Sequence, residues 1–261
     1  MRKRVPIVLA VLLAAIGGLA VWAGLHARQK EPVVDGRPLM CWLDQNDGSL
    51  EAERKARRAV EKAGTNAVPA LLGMLRQRDS LLKRRVMELA QSQRFIKVHY
   101  IPAESRNCEA WVAFTTLGAR AEGAVPALME IYDMNVSWWS QMYVVKSLGA
   151  IGPVAKMATS VLLRAATNRH FLVRGESLDA FVRIHAEPEV AVPALTRALN
   201  DPNYTVRFVA CNSLSQFGDG AKQAVPALVP LLHDPNDQVR GAASRALLRV
   251  DPEAAAKAGV K

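Results

Sequence analysis

The sequence is poor in the local signatures of chemistry. It has no GxxxxGK[ST] phosphate loop, no GxSxG elbow and no HExxH pair, which removes the familiar marks of nucleotide, acyl-transfer and zinc-hydrolase sites. Three cysteines, Cys41, Cys108 and Cys211, stand far apart without a CxxC pair. An odd count leaves at least one thiol free, and buried small hydrophobes are the expected role. No cysteine directly follows the N-terminal apolar run, so a lipid-modified cysteine is not supported. The histidines His26, His99, His170, His185 and His233 are scattered. His185 and His233 fall at expected helix ends, where imidazole meets terminal carbonyls without a catalytic task. These absences predict a chain without a catalytic site, a metal or a cofactor. Aromatics are also scarce, 6% of a chain that is 50% hydrophobic. That balance suits helices packed through Ala, Leu and Val, and stretches alternating with a period of two are few.

The formal charge of +10 is unevenly spread. Residues 1–30 hold five basic groups and no acid, and residues 51–100 hold twelve basic and five acidic groups. The remainder carries 17 basic and 19 acidic side chains. One basic stretch is a narrower footprint than a nucleic-acid surface shows, so a nucleic-acid partner is disfavoured.

Arg2, Lys3 and Arg4 precede 21 residues, 5–25, without a charged side chain. A spanning helix needs ~20 such residues and a cleavable signal ~7–15. Length favours a retained anchor over residues 1–26. Val21, Trp22 and Ala23 form an acceptable cleavage sequence, and Gly17-Gly18 softens the helix, so secretion after cleavage stays open. Both readings send the rest of the chain to the periplasmic side of the membrane.

Beyond a linker and N-terminal cap over 27–48, the sequence repeats. Val-Pro-Ala-Leu occurs at 68–71, 125–128, 192–195 and 225–228, with Thr-Ser-Val-Leu at 159–162; the spacings are 57, 34, 33 and 33 residues. Two further markers keep step. Leu117-Gly118, Ile151-Gly152, Ile184-His185, Phe217-Gly218 and Val250-Asp251 form one, and Val173-Arg174, Val206-Arg207 and Val239-Arg240 the other. Such a period identifies stacked units. Each reads as two helices. Val206, Val209, Ala210, Leu214 and Phe217 make an apolar face in the first, Gly218 suits a left-handed cap, and Pro226 suits the opening turn of the second.

The pattern Asp201-Pro202-Asn203-x-x-Val206-Arg207, its copy Asp234-Pro235-Asn236-x-x-Val239-Arg240 and the Val-Pro-Ala-Leu turns resemble HEAT repeats, including the short bacterial kind related to phycobilisome-lyase repeats. The resemblance covers residues 49–257. It implies an all-α solenoid of about five to six helix pairs behind an N-terminal hydrophobic helix. It also implies that Asp201, Asp234, Arg174, Arg207 and Arg240 form a structural ladder between units. A partly exposed pair of this kind contributes about 1 kcal/mol or less. The function expected from the sequence as a whole is a membrane-tethered or exported scaffold that binds a protein or peptide on a concave face of second helices. A lyase-like enzyme, or a nucleic-acid binder using the basic first repeats, is the alternative. Iron hydroxylases of similar repeat use His-Glu pairs, and this chain has no His-Glu dipeptide.

The first repeats break the frame, because 57 residues equal one period plus 24. Helices are expected over 80–91 and 103–117, with an inserted arm around 92–104. Three candidate surfaces follow. Arg54, Arg58, Lys62, Lys83 and Arg84 form a basic patch open to an anionic partner, or a solvated helix face supported by Glu51–Lys55 and Glu53–Arg57 pairs. Trp138 and Trp139 are aromatic anchors for a partner, or core residues with one ring turned inward. Glu130, Arg164 and Arg197 share one column of the second helices and are expected as a charged row on the concave face. Trp42 is expected to cap the first repeat.

Overall fold

The structure is a computed structural model that describes residues 31–44, 49–92 and 100–260. The expected hydrophobic helix over 1–26 lies outside the described residues. Among the described residues, no helix is long and apolar enough to cross a membrane. The chain divides into two compact units, Met1–Ala70 and Leu71–Lys261.

In the first unit, strands β1 (Val33–Val34) and β2 (Arg37–Pro38) pair antiparallel, and helix α1 (Leu39–Leu43) packs on α2 (Leu50–Ala63). Ser49 caps α2 by accepting a hydrogen bond from the Ala52 N–H, the donor such a cap satisfies. The apolar stripe of α2 turns inward at Ala56, Ala59, Val60 and Ala63. The two expected ion pairs of its outer face form at 2.6 and 2.7 Å. Leu39 and Leu43 supply the burial of α1. The indole N–H of Trp42 donates to the Val34 carbonyl at 3.0 Å under the Arg37 guanidinium. It fastens the hairpin to α1.

The second unit is built of helix pairs. After α3 (Val68–Leu75) and α4 (Leu81–Ser92) come α5 (Ala103–Leu117) with α6 (Val125–Asp133), α7 (Trp138–Ile151) with α8 (Thr159–Ala165), and α9 (Phe171–Arg183) with α10 (Pro188–Ala198). Then α11 (Tyr204–Phe217) pairs with α12 (Val225–Leu228), and α13 (Asp237–Val250) with α14 (Pro252–Lys257). The first helices α5, α7, α9, α11 and α13 pack each against the next, and each second helix folds back on this row. Phe114, Leu128, Ile131, Leu148, Leu162, Leu178 and Phe181 are fully buried between the layers. This is the all-α solenoid expected from the repeat.

Local sequence explains the joints. Gly118, Gly152 and Gly218 end first helices with φ of +53°, +82° and +53°, a region open to glycine at little cost. His185 fills the same column at φ +52°. Pro126 and Pro226 sit in the first turns of α6 and α12. A further proline, Pro230, opens a 3-10 turn over Val229–His233, which leaves Leu231 and Leu232 half-buried. In α11, Val206, Ala210 and Leu214 are buried, whereas Val209 and Phe217 are half-buried.

The insertion begins earlier than expected. Later units take four to eight residues from a second helix to the next first helix, but α3 and α5 are separated by residues 76–102, and α4 lies within that span. The helix expected to belong to a repeat is therefore part of the insertion. Its apolar side chains Leu81, Leu82, Val86 and Leu89 are exposed, whereas repeat helices bury theirs. Asp79 closes the insertion at its base. Its carboxylate accepts from the Ala103 N–H at 2.7 Å and pairs with Lys83 at 2.6 Å. Burial opposes ionisation of Asp79, but Lys83, the Tyr100 hydroxyl and the Ala103 N–H outweigh it and hold the carboxyl below its ordinary value.

Candidate functional site

The ladder between units is the most regular polar feature. The Arg207 guanidinium grips Asp234 with two hydrogen bonds of 2.8 and 2.9 Å, a geometry that fixes orientation as well as energy. A third donor, Nη1, reaches back to the carbonyls of Asp201 and Pro202. Asp234 also accepts from the Asn236 N–H, and Asn236 caps α13. One unit thus holds its own loop, its successor's loop and its successor's helix start. Arg174 and Asp201 repeat the arrangement at 2.6 and 2.7 Å. Arg240, in the same column, donates to the carbonyls of Asp234 and Pro235. The expected ladder residues meet one another across successive units, and the pairs are more buried than a partly exposed bridge. The Arg207 and Asp234 side chains are 14% and 4% exposed. Hydrogen bonding from Arg207 overcomes burial and holds the Asp234 carboxyl below its ordinary value.

One unit earlier the same slots hold neutral residues. Asn168 occupies the Asp column and Gln141 the Arg column, and the Asn168 amide donates to Gln141 Oε1 at 3.0 Å and to the Tyr132 hydroxyl at 3.2 Å. Sequence reading passed over both, although the 33-residue period lands on them. Ser140 replaces the column's valine and satisfies its buried hydroxyl by donating to the Leu75 carbonyl at 2.6 Å.

Beside this neutral step runs a row of rings across α5, α7 and α9. Trp111 lies 6.1 Å from Tyr143, Tyr143 6.2 Å from Trp139, and Trp139 3.9 Å from Trp138. Trp138 stacks on His170 at 3.6 Å, and His170 lies 5.2 Å from Phe171. Burial, and then the nearby Arg174 charge, lower the His170 pKa and favour the neutral imidazole in that stack. Burial pushes the Tyr143 phenol up, with the Cys108 thiol beside it adding to the shift. Lys146 stands 4.0 Å over the Trp111 ring and pairs with Glu176 at 3.1 Å. Such a contact combines cation–π attraction with an ion pair.

Three grooves open along this row. The largest, about 580 Å³, lies among Arg78, Leu81, Arg84, Glu104, Asn107 and Trp139. A narrow one of about 80 Å³ crosses Trp111, Lys146, Glu176 and Arg183. The third, about 270 Å³, lies between α9 and α11 at Phe171, Leu172, Val209 and Gln216. The two smaller grooves are lined by first helices, and the largest by residues of the insertion, among them Leu81, Leu82 and Arg84, together with the starts of α5 and α7. The second helices, expected to carry the binding surface, line none of these three grooves.

The predicted site residues separate accordingly. Glu130, Arg164 and Arg197 are exposed on α6, α8 and α10. Arg164 pairs at 2.7 Å with Asp133 of the preceding unit, so its charge is answered within the protein. The expectation that one tryptophan points into the core also gives way. Both Trp138 and Trp139 are half-buried because they stack on each other at the start of α7. Of the basic patch, Arg54, Arg58 and Lys62 belong to the first unit, and Lys62 pairs with Asp35 at 2.7 Å. Lys83 and Arg84 lie on α4, paired with Asp79 and, at 3.6 Å, with Glu104. Among the described residues, no three His, Cys, Asp or Glu side chains gather in a way that could hold a metal.

Residues 160–249 match the family described as HEAT repeats. Two crystal structures of engineered proteins are similar to this chain. One is 19% identical over 85% of this chain, with a TM-score of 0.44, and this chain spans 60% of its length. The other is 18% identical over 84% of this chain and 96% of its own, with a TM-score of 0.41. No curated protein matches the chain.

Proposed function

From the HEAT-repeat match over residues 160–249, we propose that the chain is a non-catalytic scaffold whose first-helix surface binds an extended segment of a partner protein. The observation that carries this reading is the row Trp111, Tyr143, Trp139, Trp138, His170 and Phe171, which passes beside three grooves. Aromatic rings placed at a surface are the residues that dominate binding energy where they become desolvated by a partner. In a solenoid they recur from one unit to the next, which suits a ligand lying across the helices. Lys146, Glu176, Asp179 and Arg183 beside the narrow groove offer both signs of charge, which would set the register of the bound segment more than its affinity.

The scaffold is held at a membrane, or exported, by residues 1–26. Support comes from Arg2, Lys3 and Arg4 ahead of 21 residues without charge, a length that suits a spanning helix and a charge order that keeps the start of the chain in the cytoplasm. The helix pairs then work on the periplasmic side. Protease added outside the inner membrane should digest residues 31–261, and full protection in spheroplasts removes the exported reading.

Photocrosslinking from defined positions tests the surface. A benzophenone side chain placed at Thr115 or Gln216, beside the grooves, should yield adducts in intact cells that disappear with Trp139→Ala. The same group at Glu130 or Arg197 should yield few. Equal yields from both layers would remove the first-helix row as the binding surface.

A further inference from the structure

Among the described residues, α4 departs from every other helix of comparable length, since nothing between residues 81 and 91 is buried. Leu81, Leu82, Val86 and Leu89 are 80%, 73%, 48% and 65% exposed. In a water-surrounded repeat protein such residues are ordinarily spent on the core, as Val239, Ala243, Ala246 and Val250 are in α13. Turning about 100° per residue, α4 gathers Leu82, Val86 and Leu89 into one arc with Ala90 at its edge. Lys83 and Arg85 fall on the two borders of that arc, and Arg84 and Glu88 lie towards the far side. The helix therefore carries a continuous apolar strip edged by a cation on each side; Lys83 is also paired with Asp79, and Arg84 with Glu104, while Arg85 stands on the other border.

This distribution differs from that of a helix built to meet another helix. A protein partner is normally met by an apolar strip whose borders carry both signs of charge. A helix lying in a bilayer surface instead places its apolar strip at the acyl boundary and its cations at the level of the phosphates, where long basic side chains reach outward from the strip's edges. Anionic lipid adds a separate attraction for each basic group near the surface. The base of the insertion is suited to presenting such a helix. Asp79 ties residue 79 to Ala103 and to Lys83, so α4 leaves the stack from a fixed point. A chain already held at a membrane meets that surface at high effective concentration, which allows a short strip to suffice.

We propose that α4 is a membrane-surface element: Leu82, Val86 and Leu89 enter the headgroup boundary of a bilayer containing anionic lipid, with Lys83 and Arg85, on the borders of the strip, at its phosphates. The proposal rests on the membrane-held reading above. Its role is to give the scaffold a second attachment to the membrane and so a defined orientation, since one attachment leaves a body free to swivel and two do not.

The test uses the full chain carrying Leu89→Cys labelled with an environment-sensitive fluorophore, reconstituted into phosphatidylcholine vesicles with or without phosphatidylglycerol. Chain without the substitution is labelled in parallel to subtract the native thiols. Nitroxide-bearing lipids should quench the probe in the phosphatidylglycerol vesicles and leave it in water in the neutral ones. Arg85→Glu should weaken that quenching equilibrium about tenfold. Leu82→Gln with Val86→Gln, also exposed, should abolish it with unchanged melting. A probe that stays in water in both vesicles overturns the proposal, as does quenching that ignores the charge reversal. Shielding by an acidic amphipathic peptide in place of lipid overturns it in favour of a protein partner. Flotation separates this result from the anchor. Chain that floats with neutral vesicles while its probe remains in water loses the α4 proposal and keeps the anchor. Chain that floats with anionic vesicles alone, with its probe quenched, keeps α4 and loses the anchor.

Discussion

From α9 to α13 the repeat is filled column by column, with Arg174 on Asp201, Arg207 on Asp234, and Asn203 and Asn236 capping α11 and α13. From α3 to the approach of α9 the same columns are rewritten. Ser140 stands for valine, Gln141 for arginine and Asn168 for aspartate, α4 is interposed, and the rings of Trp111, Trp138, Trp139 and Tyr143 gather there. The first region spends its distinctive residues on holding units together. In the second, residues that no longer serve the ladder are available to form a surface. A repeat protein has few free positions, so departures from its columns are where recognition can be built without dismantling the stack.

The largest effect should come from breaking the regular region. Arg207→Ala leaves the buried Asp234 carboxylate without its guanidinium and should cost ~3 kcal/mol in chemical denaturation, more than the sequence alone suggested. Arg240→Ala, exposed and on carbonyls, should cost about 1 kcal/mol or less. Equal losses would show that burial is not what makes Arg207 matter. The same pair sets an acid limit. Because the folded pKa of Asp234 is depressed, its contribution is present above the ordinary carboxylate range and is lost as pH falls through the folded value. Stability should hold above about pH 5 and decline from near pH 4 downward, and Arg207→Ala should flatten that decline.

In the rewritten region, Trp139→Ala should weaken a peptide selected by display on the intact protein by about tenfold or more in calorimetry. It should shift melting less than Arg207→Ala does. A smaller effect tests whether the neutral step is a true member of the ladder. Gln141→Arg and Asn168→Asp should each destabilise alone, and the double substitution should recover at least ~1 kcal/mol of coupling in a mutant cycle. Additive losses would mean that the two slots no longer share the ladder's geometry. The smallest change is His185→Gly, which relieves a left-handed residue and should gain ~0.5 kcal/mol after the cost of a freer unfolded chain.

The helix pairs were legible in the sequence because their markers recur at fixed distance. Leu-Gly, Val-Pro-Ala-Leu and Val-Arg each have a local mechanical reason, namely a left-handed cap, a first turn and a buried grip. The ladder residues were legible for the same reason. The surface proposed for binding was not. Whether first or second helices meet a ligand depends on how successive pairs stack, which a one-unit pattern does not encode. Val209 and Phe217 read as core by their spacing, yet they lie half-buried, and Val209 borders a groove. Trp111 and Tyr143 belong to different units and meet only in three dimensions. Gln141 and Asn168 were within reach, since the period lands on them, but two amides look unremarkable beside two ion pairs.

The clasp at Asp79 has a consequence for how this protein could change. Because residues 79 and 103 are joined at 2.7 Å, the intervening segment begins and ends at one place on the stack. The entropy of closing such a segment grows only slowly with its length. It can therefore be exchanged for a longer, shorter or differently charged one while α3 and α5 keep their register. Descendants of this sequence could acquire a new attachment by replacing a cassette, with every rung of the ladder left in place.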